Sequence, residues 1–216
     1  MKISIEGNIG SGKSTIISRL CSDMRVPVFL EPVDEWKDWL SMFYSDPARW
    51  GMSFNLHVLL TFTKWKKNDF VAVYERSPIS NRYIFAQLQY DQGRMNELEL
   101  KLFGQLYDNL SWTPDLMIYI RTDPKVSLER MNSRGRNCED GVPLEYLQAV
   151  HDKHESIFDG NECLPADKFD VTQCAHKRCK IVIVDGNRNP NDVYADVQKW
   201  VHMASVMGSC NNWDVC

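Results

Sequence analysis

Short apolar runs alternate along this 216-residue chain with longer stretches in which apolar residues recur every three or four positions. The runs read as strands: Ile3 to Glu6, Val26 to Glu31 with Pro27 near its start, Phe70 to Glu75, Leu116 to Ile120, and Ile181 to Asp185. Most are continuous rather than alternating, the pattern of strands covered on both faces in a parallel sheet. The longer stretches read as helices over about 13–21, 34–42, 50–66, 80–90, 95–110 and 191–203, with two more opening at Pro124 and Pro143. Proline is tolerated in a first helical turn, where its missing N–H would be unpaired anyway. The helix after Pro143 carries an apolar stripe of Leu144, Leu147, Val150, Ile157 and Phe158. Strands alternating with helices predict an α/β fold, a five-stranded parallel sheet with helices on both faces, in one domain over 1–216. Three segments break the pattern: charged Ser133–Gly141, a polar cysteine-bearing insertion at 159–179, and a tail at 208–216.

In such a sheet, chemistry gathers in the loops at the carboxyl ends of the strands. The loops after Glu6, Leu30, Val73 and Ile120 are therefore the places to search. Composition narrows the options: 44% hydrophobic and 25% charged residues describe a globular chain, and a formal net charge of -4 does not suit a nucleic-acid polymer. No stretch reads as a secretory leader, transit peptide or membrane span, so a cytoplasmic protein is expected. The seven cysteines contain no C-x-x-C pair and read as free thiols in a reducing compartment. Cys174-x-His176-x-x-Cys179 lacks ordinary zinc spacing and reads as solvated loop before metal site.

The loop after the first strand is the most informative segment. Gly7-Asn8-Ile9-Gly10-Ser11-Gly12-Lys13-Ser14, followed by Thr15, matches G-x-x-x-x-G-K-[ST]. Its glycines let backbone N–H groups turn inward around phosphate oxygens, and the next helix offers its N-terminus to the same anion. Lys13 reaches the terminal phosphates and Ser14 suits Mg²⁺. A nucleoside triphosphate donor, ATP with Mg²⁺, is implied by this loop; the acceptor is not.

The acceptor must be read from the other strand ends. Glu31 is placed either to take a proton from an attacking hydroxyl or to favour the start of the next helix electrostatically. Glu75-Arg76-Ser77 closes the third strand, with Glu75 the available Mg²⁺ carboxylate and Arg76 either an acceptor-orienting cation or half of a surface ion pair. Arg130, Arg134 and Arg136, read as a loop around Gly135 before a helix, suit the charge of a transferred phosphoryl group, whereas such clusters are otherwise solvated surface.

In combination, these segments resemble the animal-type deoxyribonucleoside kinase family. The resemblance rests on Ile5-Glu6-Gly7-Asn8-Ile9, Glu31-Pro32-Val33, Pro47-Ala48-Arg49-Trp50, Glu75-Arg76-Ser77, Arg82 to Ala86, Arg134-Gly135-Arg136-Asn137, Pro143 to Leu147 and Lys153 to Ser156. It covers roughly residues 3 to 158 plus the last strand and helix. The resemblance implies a P-loop kinase fold with a LID-like loop at 133–141. It implies Glu31 as general base on the nucleoside 5′-hydroxyl, with Arg76 holding the same oxygen. Lys13, Arg130, Arg134 and Arg136 become phosphate contacts, and Ser14 and Glu75 the Mg²⁺ site. Tyr44 and Glu139 fall where the family binds the sugar 3′-hydroxyl, Trp36 at a wall of the base pocket, and Asn55 where a Gln usually pairs with the base. Phe62 and Asn81 stand where deoxycytidine kinase has an Arg–Asp pair favouring cytosine. That leaves room for a thymine methyl, unless Phe62 fills it. Asn55 is one methylene short, and Cys138 replaces the first of a commonly acidic pair.

The expected function is therefore ATP-dependent 5′-phosphorylation of a deoxyribonucleoside, thymidine first with broad tolerance, by a homodimer. Deoxycytidine or purine deoxynucleosides are the alternative acceptors. A nucleoside monophosphate kinase would need further cations for the acceptor's own phosphate, and a non-catalytic ATP switch would leave the acceptor residues without a task.

Overall fold

A computed structural model describes residues 1–136, 141–158 and 179–208. Five parallel strands form one sheet: β1 (Lys2–Gly7), β2 (Val28–Phe29), β3 (Ala72–Glu75), β4 (Leu116–Arg121) and β5 (Lys180–Asp185), in the spatial order β2-β3-β1-β4-β5. The helices are α1 (Lys13–Met24), α2 (Val33–Ser45), α3 (Pro47–Thr63), α4 (Pro78–Ser80), α5 (Gln87–Asp91), α6 (Glu97–Leu110), α7 (Pro124–Arg134), α8 (Leu144–Phe158) and α9 (Pro190–Gly208). Between α4 and α5 the chain makes π-helical turns over Asn81–Ala86.

Strand alternation assigns each face its cover. Ile3 and Ile5 of β1, with Leu116, Ile118 and Ile120 of β4, bury against Ile16, Ile17 and Leu20 of α1 and Val193, Val197 and Val201 of α9. Met117 and Tyr119 point the other way, against Ile79, Ile84, Val150 and Phe158. The α2–α3 hairpin extends beyond the sheet, and α3 packs with α6 around Leu59 and Phe103.

The expected strands and helices are present, with shifted ends. The second strand is only two residues long, and β3 begins two residues after Phe70. The third helix opens at Pro47 rather than Trp50 because Asp46 caps it, its Oδ1 accepting from the Arg49 N–H at 3.1 Å. The sixth opens on a capping box between Asn96 and Glu99. A larger correction concerns the arginine cluster. Arg130 and Arg134 sit on α7, not on a loop, and only Arg136 lies past the left-handed Gly135 that ends the helix. Glu139 and Cys138, most of the 159–179 insertion with Cys174 and His176, and the tail beyond Gly208 lie outside the described residues.

Candidate active site

Strand β1 delivers its backbone into the phosphate loop at the centre of the sheet. Gly7, Gly10 and Gly12 all have positive φ, at 148°, 77° and 96°. Gly10 is also pressed against α7: a Cβ there would lie 2.2 Å from the Ser127 carbonyl oxygen. Only glycine combines that backbone with that approach. Asn8 holds the loop from below, its side-chain N–H donating to the Leu147 carbonyl at 2.8 Å and its Oδ1 accepting from the Ile9 N–H at 2.8 Å. Ser11 is buried beneath the loop, while Thr15 is exposed on the first turn of α1.

Lys13 is buried, and its Nζ donates to the Asn8 carbonyl at 2.8 Å. Burial lowers its pKa to about 8, helped by Arg76 and opposed by Glu75, Glu31 and Glu6. Beside it, Ser14 Oγ donates to Glu75 Oε1 at 2.7 Å, which places a hydroxyl and a carboxylate together at the mouth of the loop. Hard oxygen donors of this kind fit Mg²⁺.

Arg76 joins the phosphate side to the acceptor side. Its Nη1 donates to the Gly7 carbonyl at 2.7 Å, its Nε faces Glu31 Oε1 at 2.9 Å, and its guanidinium lies over the Phe85 ring at 4.8 Å. Both Glu75 and Arg76 are buried, so the surface-pair reading of that triplet does not hold. Nor is Glu31 a helix-start acid: the first turn of α2 carries Asp34 and Glu35, and Glu31 turns inward to Arg76. Burial raises the Glu31 pKa, Arg76 and Lys13 oppose that, and Glu75 and Glu6 add to it.

Beyond Glu31 and Arg76 opens a cleft walled mainly by apolar and aromatic side chains with a few polar groups among them. Its lining includes Trp36, Tyr44, Asn55, Phe62, Asn81, Arg134 and Arg136, so the structure brings together most residues singled out in the sequence. Trp36 and Phe62 meet edge to face at 6.4 Å, and Trp36 Nε1 donates to Thr61 Oγ1 at 3.2 Å. Asn55 is not an open amide. Its Nδ2 donates to the Gly51 carbonyl at 2.8 Å, and its Oδ1 accepts from Asn81 Nδ2 at 3.2 Å. The buried Oδ1 of Asn81 is left without a protein partner.

Of the residues expected at the donor's phosphates, Gly7, Asn8, Ser11, Thr15 and Arg130 are not part of the cleft lining; Arg130 donates from Nη1 to the Gly186 carbonyl at 3.0 Å. Sequence reasoning misses others: Phe43, Phe54, Val58, Phe85 and Tyr146 all line the cleft. Phe85 reads as core packing from its pattern, and its position four residues after Asn81 is the signal that could have found it. Burial pushes the Tyr146 hydroxyl up to about 12, against the pull of Arg94 and Arg76, so it stays protonated.

Comparison with known proteins bears on this site directly. The family described as deoxynucleoside kinase matches residues 3–202. A fowlpox virus protein named as a probable deoxycytidine kinase is 37% identical over 171 residues, covering 74% of this chain and 72% of its own length. Human mitochondrial thymidine kinase 2 is 35% identical over 165 residues, covering 71% of this chain and 62% of that protein. Human deoxycytidine kinase is 36% identical over 194 residues, at 72% and 74%. Among solved structures, deoxyadenosine kinase from M. mycoides with bound dCTP superposes with a TM-score of 0.76 over 94% of this chain and all of that one, a likeness of fold at 21% identity. With a phosphate loop, an acid–arginine pair and a cleft gathered at the carboxyl ends of the strands, the chain belongs to the deoxynucleoside kinase family, phosphotransferases that act on an alcohol group of their acceptor.

Proposed function

We propose that this enzyme transfers the γ-phosphate of ATP to the 5′-hydroxyl of a deoxyribonucleoside, with thymidine the leading acceptor. One observation carries the acceptor assignment: the Glu31–Arg76 pair, 2.9 Å apart with its arginine buried, stands between the phosphate loop and the cleft. In this reading Glu31 accepts the 5′-hydroxyl proton and Arg76 orients the same oxygen. Lys13, Arg134 and Arg136 neutralise charge on the transferred group. Ser14 and Glu75 would hold Mg²⁺, which would supply charge neutralisation for the donor's phosphates. Tyr44 serves the sugar, and Trp36, Asn55, Phe62 and Asn81 the base.

The thymidine preference is supported by a base end without formal charge. Asn55 and Asn81 supply amides there, and Trp36, Phe54, Val58 and Phe62 an apolar wall suited to a methyl-bearing ring. Deoxycytidine is the second reading, because the unpartnered Asn81 Oδ1 would also accept from an exocyclic amine. Measuring kcat/KM for thymidine, deoxycytidine, deoxyadenosine and deoxyguanosine with MgATP tests this. A deoxycytidine or purine lead overturns the thymidine preference, and no turnover with any of them overturns the acceptor class.

A homodimer is supported by exposed Leu98 and Leu102, one turn apart on α6, which leave an apolar stripe on that helix. A reducing, cytoplasmic setting is supported by the free thiol of Cys21. No described helix is long and apolar enough to cross a membrane. We place no nucleic-acid polymer among the partners, given the net charge of -4.

A further inference from the structure

The second face of β1 is polar at the centre of an otherwise apolar sheet. Ile3 and Ile5 enter the core under α1 and α9, whereas Ser4 and Glu6 point to the opposite layer, both with no exposed surface. A carboxyl buried in a central parallel strand is costly and calls for a reason. Glu6 does not reach the cleft and is not among its lining residues.

A hydrogen bond identifies that reason. Ser77 Oγ donates to Glu6 Oε1 at 2.7 Å. Ser77 is the N-cap residue of α4, where a serine hydroxyl normally accepts from the helix's own first N–H groups. Here no such cap bond forms, and the hydroxyl is directed to Glu6 instead. Ser80 Oγ closes the turn by donating to the Ser77 carbonyl at 3.0 Å. Immediately before Ser77 stands Arg76 with φ at 62°, a left-handed backbone that side-chain-bearing residues rarely adopt. Its own N–H is held by the Ile5 carbonyl at 3.0 Å, and its guanidinium by the Gly7 carbonyl and Glu31. Strand β1 thus grips the turn at three successive residues: Ile5 on the Arg76 backbone, Glu6 on the Ser77 side chain, and Gly7 on the Arg76 guanidinium. Strained backbones persist where their surroundings over-determine them.

We propose that Glu6 is a positioning residue for Arg76, its buried carboxyl fixing the Ser77 turn so that the guanidinium is aimed at once at the phosphate loop and at Glu31. The inference rests on the reading of Arg76 as the cation that orients the acceptor oxygen. Burial raises the Glu6 pKa and Arg76 opposes the rise, in keeping with a carboxyl whose Oε1 meets the fixed Ser77 hydroxyl and whose buried Oε2 has no hydrogen-bond partner.

The test is a double-mutant cycle on turnover. Glu6→Leu removes the acceptor while filling the space, and Glu6→Gln keeps an acceptor for Ser77. The expected result for Glu6→Leu is a fall in kcat of about tenfold or more, with KM for MgATP within about twofold. Glu6→Gln recovers most of that loss. In an Arg76→Ala background, Glu6→Leu produces no further fall, because the residue it aims is gone. If Glu6→Leu does not fold, Ser77→Ala enters the same cycle with the same expectation. An equal fall in both backgrounds, or unchanged kcat in Glu6→Leu and Ser77→Ala beside a crippled Arg76→Ala, overturns the positioning role alone. Wild-type turnover in Arg76→Ala overturns the assignment of Arg76 itself, and this inference with it.

Discussion

Replacing Glu31 separates chemistry from binding more sharply than any other single change. In Glu31→Gln, the carboxamide keeps a carbonyl oxygen for Arg76 Nε, which faces Glu31 Oε1 at 2.9 Å, but gives up nearly all basicity. General-base removal costs about 10²- to 10⁴-fold in turnover. A hundredfold loss corresponds to about 2.7 kcal/mol of transition-state stabilisation. Glu31→Ala adds a second penalty. The Arg76 guanidinium, whose side chain is 5% exposed, would lose its charged partner, and breaking a buried pair from one side typically costs about 3–5 kcal/mol of stability. We therefore expect Glu31→Gln to lower kcat at least about a hundredfold with Tm near wild type, and Glu31→Ala to lose Tm as well. ATP binding, measured by titration without nucleoside, survives in both, since the direct partner of Glu31 is Arg76 rather than the phosphate loop. The pH profile gives an independent check. Burial raises the Glu31 pKa and the base must be ionised to act, so wild-type kcat falls as pH drops through that raised value, above the ordinary carboxylate range. That acid limb is absent from Glu31→Gln. Turnover within about tenfold of wild type in Glu31→Gln would refute the base assignment.

Neighbouring groups carry further expectations. Lys13 has a pKa of about 8 in the free enzyme, and phosphate oxygens raise it; ATP binding then takes up a proton above that pH and weakens as pH rises through it. Calorimetry at about pH 8.5 in two buffers of different ionisation enthalpy measures the uptake, and its persistence in Lys13→Arg would contradict the assignment. Glu75→Gln weakens the carboxylate beside Ser14, so the Mg²⁺ concentration for half-maximal activity rises about tenfold while the nucleoside KM holds; an unchanged Mg²⁺ requirement would move the metal elsewhere. Leu98→Glu with Leu102→Glu places charge on the exposed stripe of α6; light scattering then reports a monomer where the parent is a dimer, and a dimer surviving both changes would discard that face.

The frame of this enzyme was legible in the sequence because each signal was local. Continuous apolar runs at 70–75, 116–120 and 181–185 are what a doubly covered sheet requires, and the glycine spacing from Gly7 to Lys13 is fixed by the space around a phosphate. The helix start at Asp46-Pro47 was present as a capping signal too, but apolar periodicity drew attention to the later Trp50. The hidden part depends on encounters across the fold. No local rule pairs Asn81 with Asn55 across 26 residues, or turns Arg130 away from the loop toward Gly186. Part of the aromatic wall was obscured for another reason: Phe54 and Phe85 carry the periodicity of core residues because they do pack, and one edge of that packing lines the cleft.

The π-helical turns at Asn81–Ala86 have an evolutionary side. Such turns arise when one residue is accommodated within an α-helix, and each added residue rotates the remainder of the helix by about 100°. Asn81 and Phe85 face the cleft while Tyr83 turns toward Tyr107 of α6, a division of labour set by that local winding. A one-codon deletion here would regularise the helix and swing one of the two out of the cleft, leaving the composition of the pocket walls almost untouched. Changes in length within this segment, more than substitutions, are therefore a route by which relatives of this chain could redraw the shape of their base pocket in a single step.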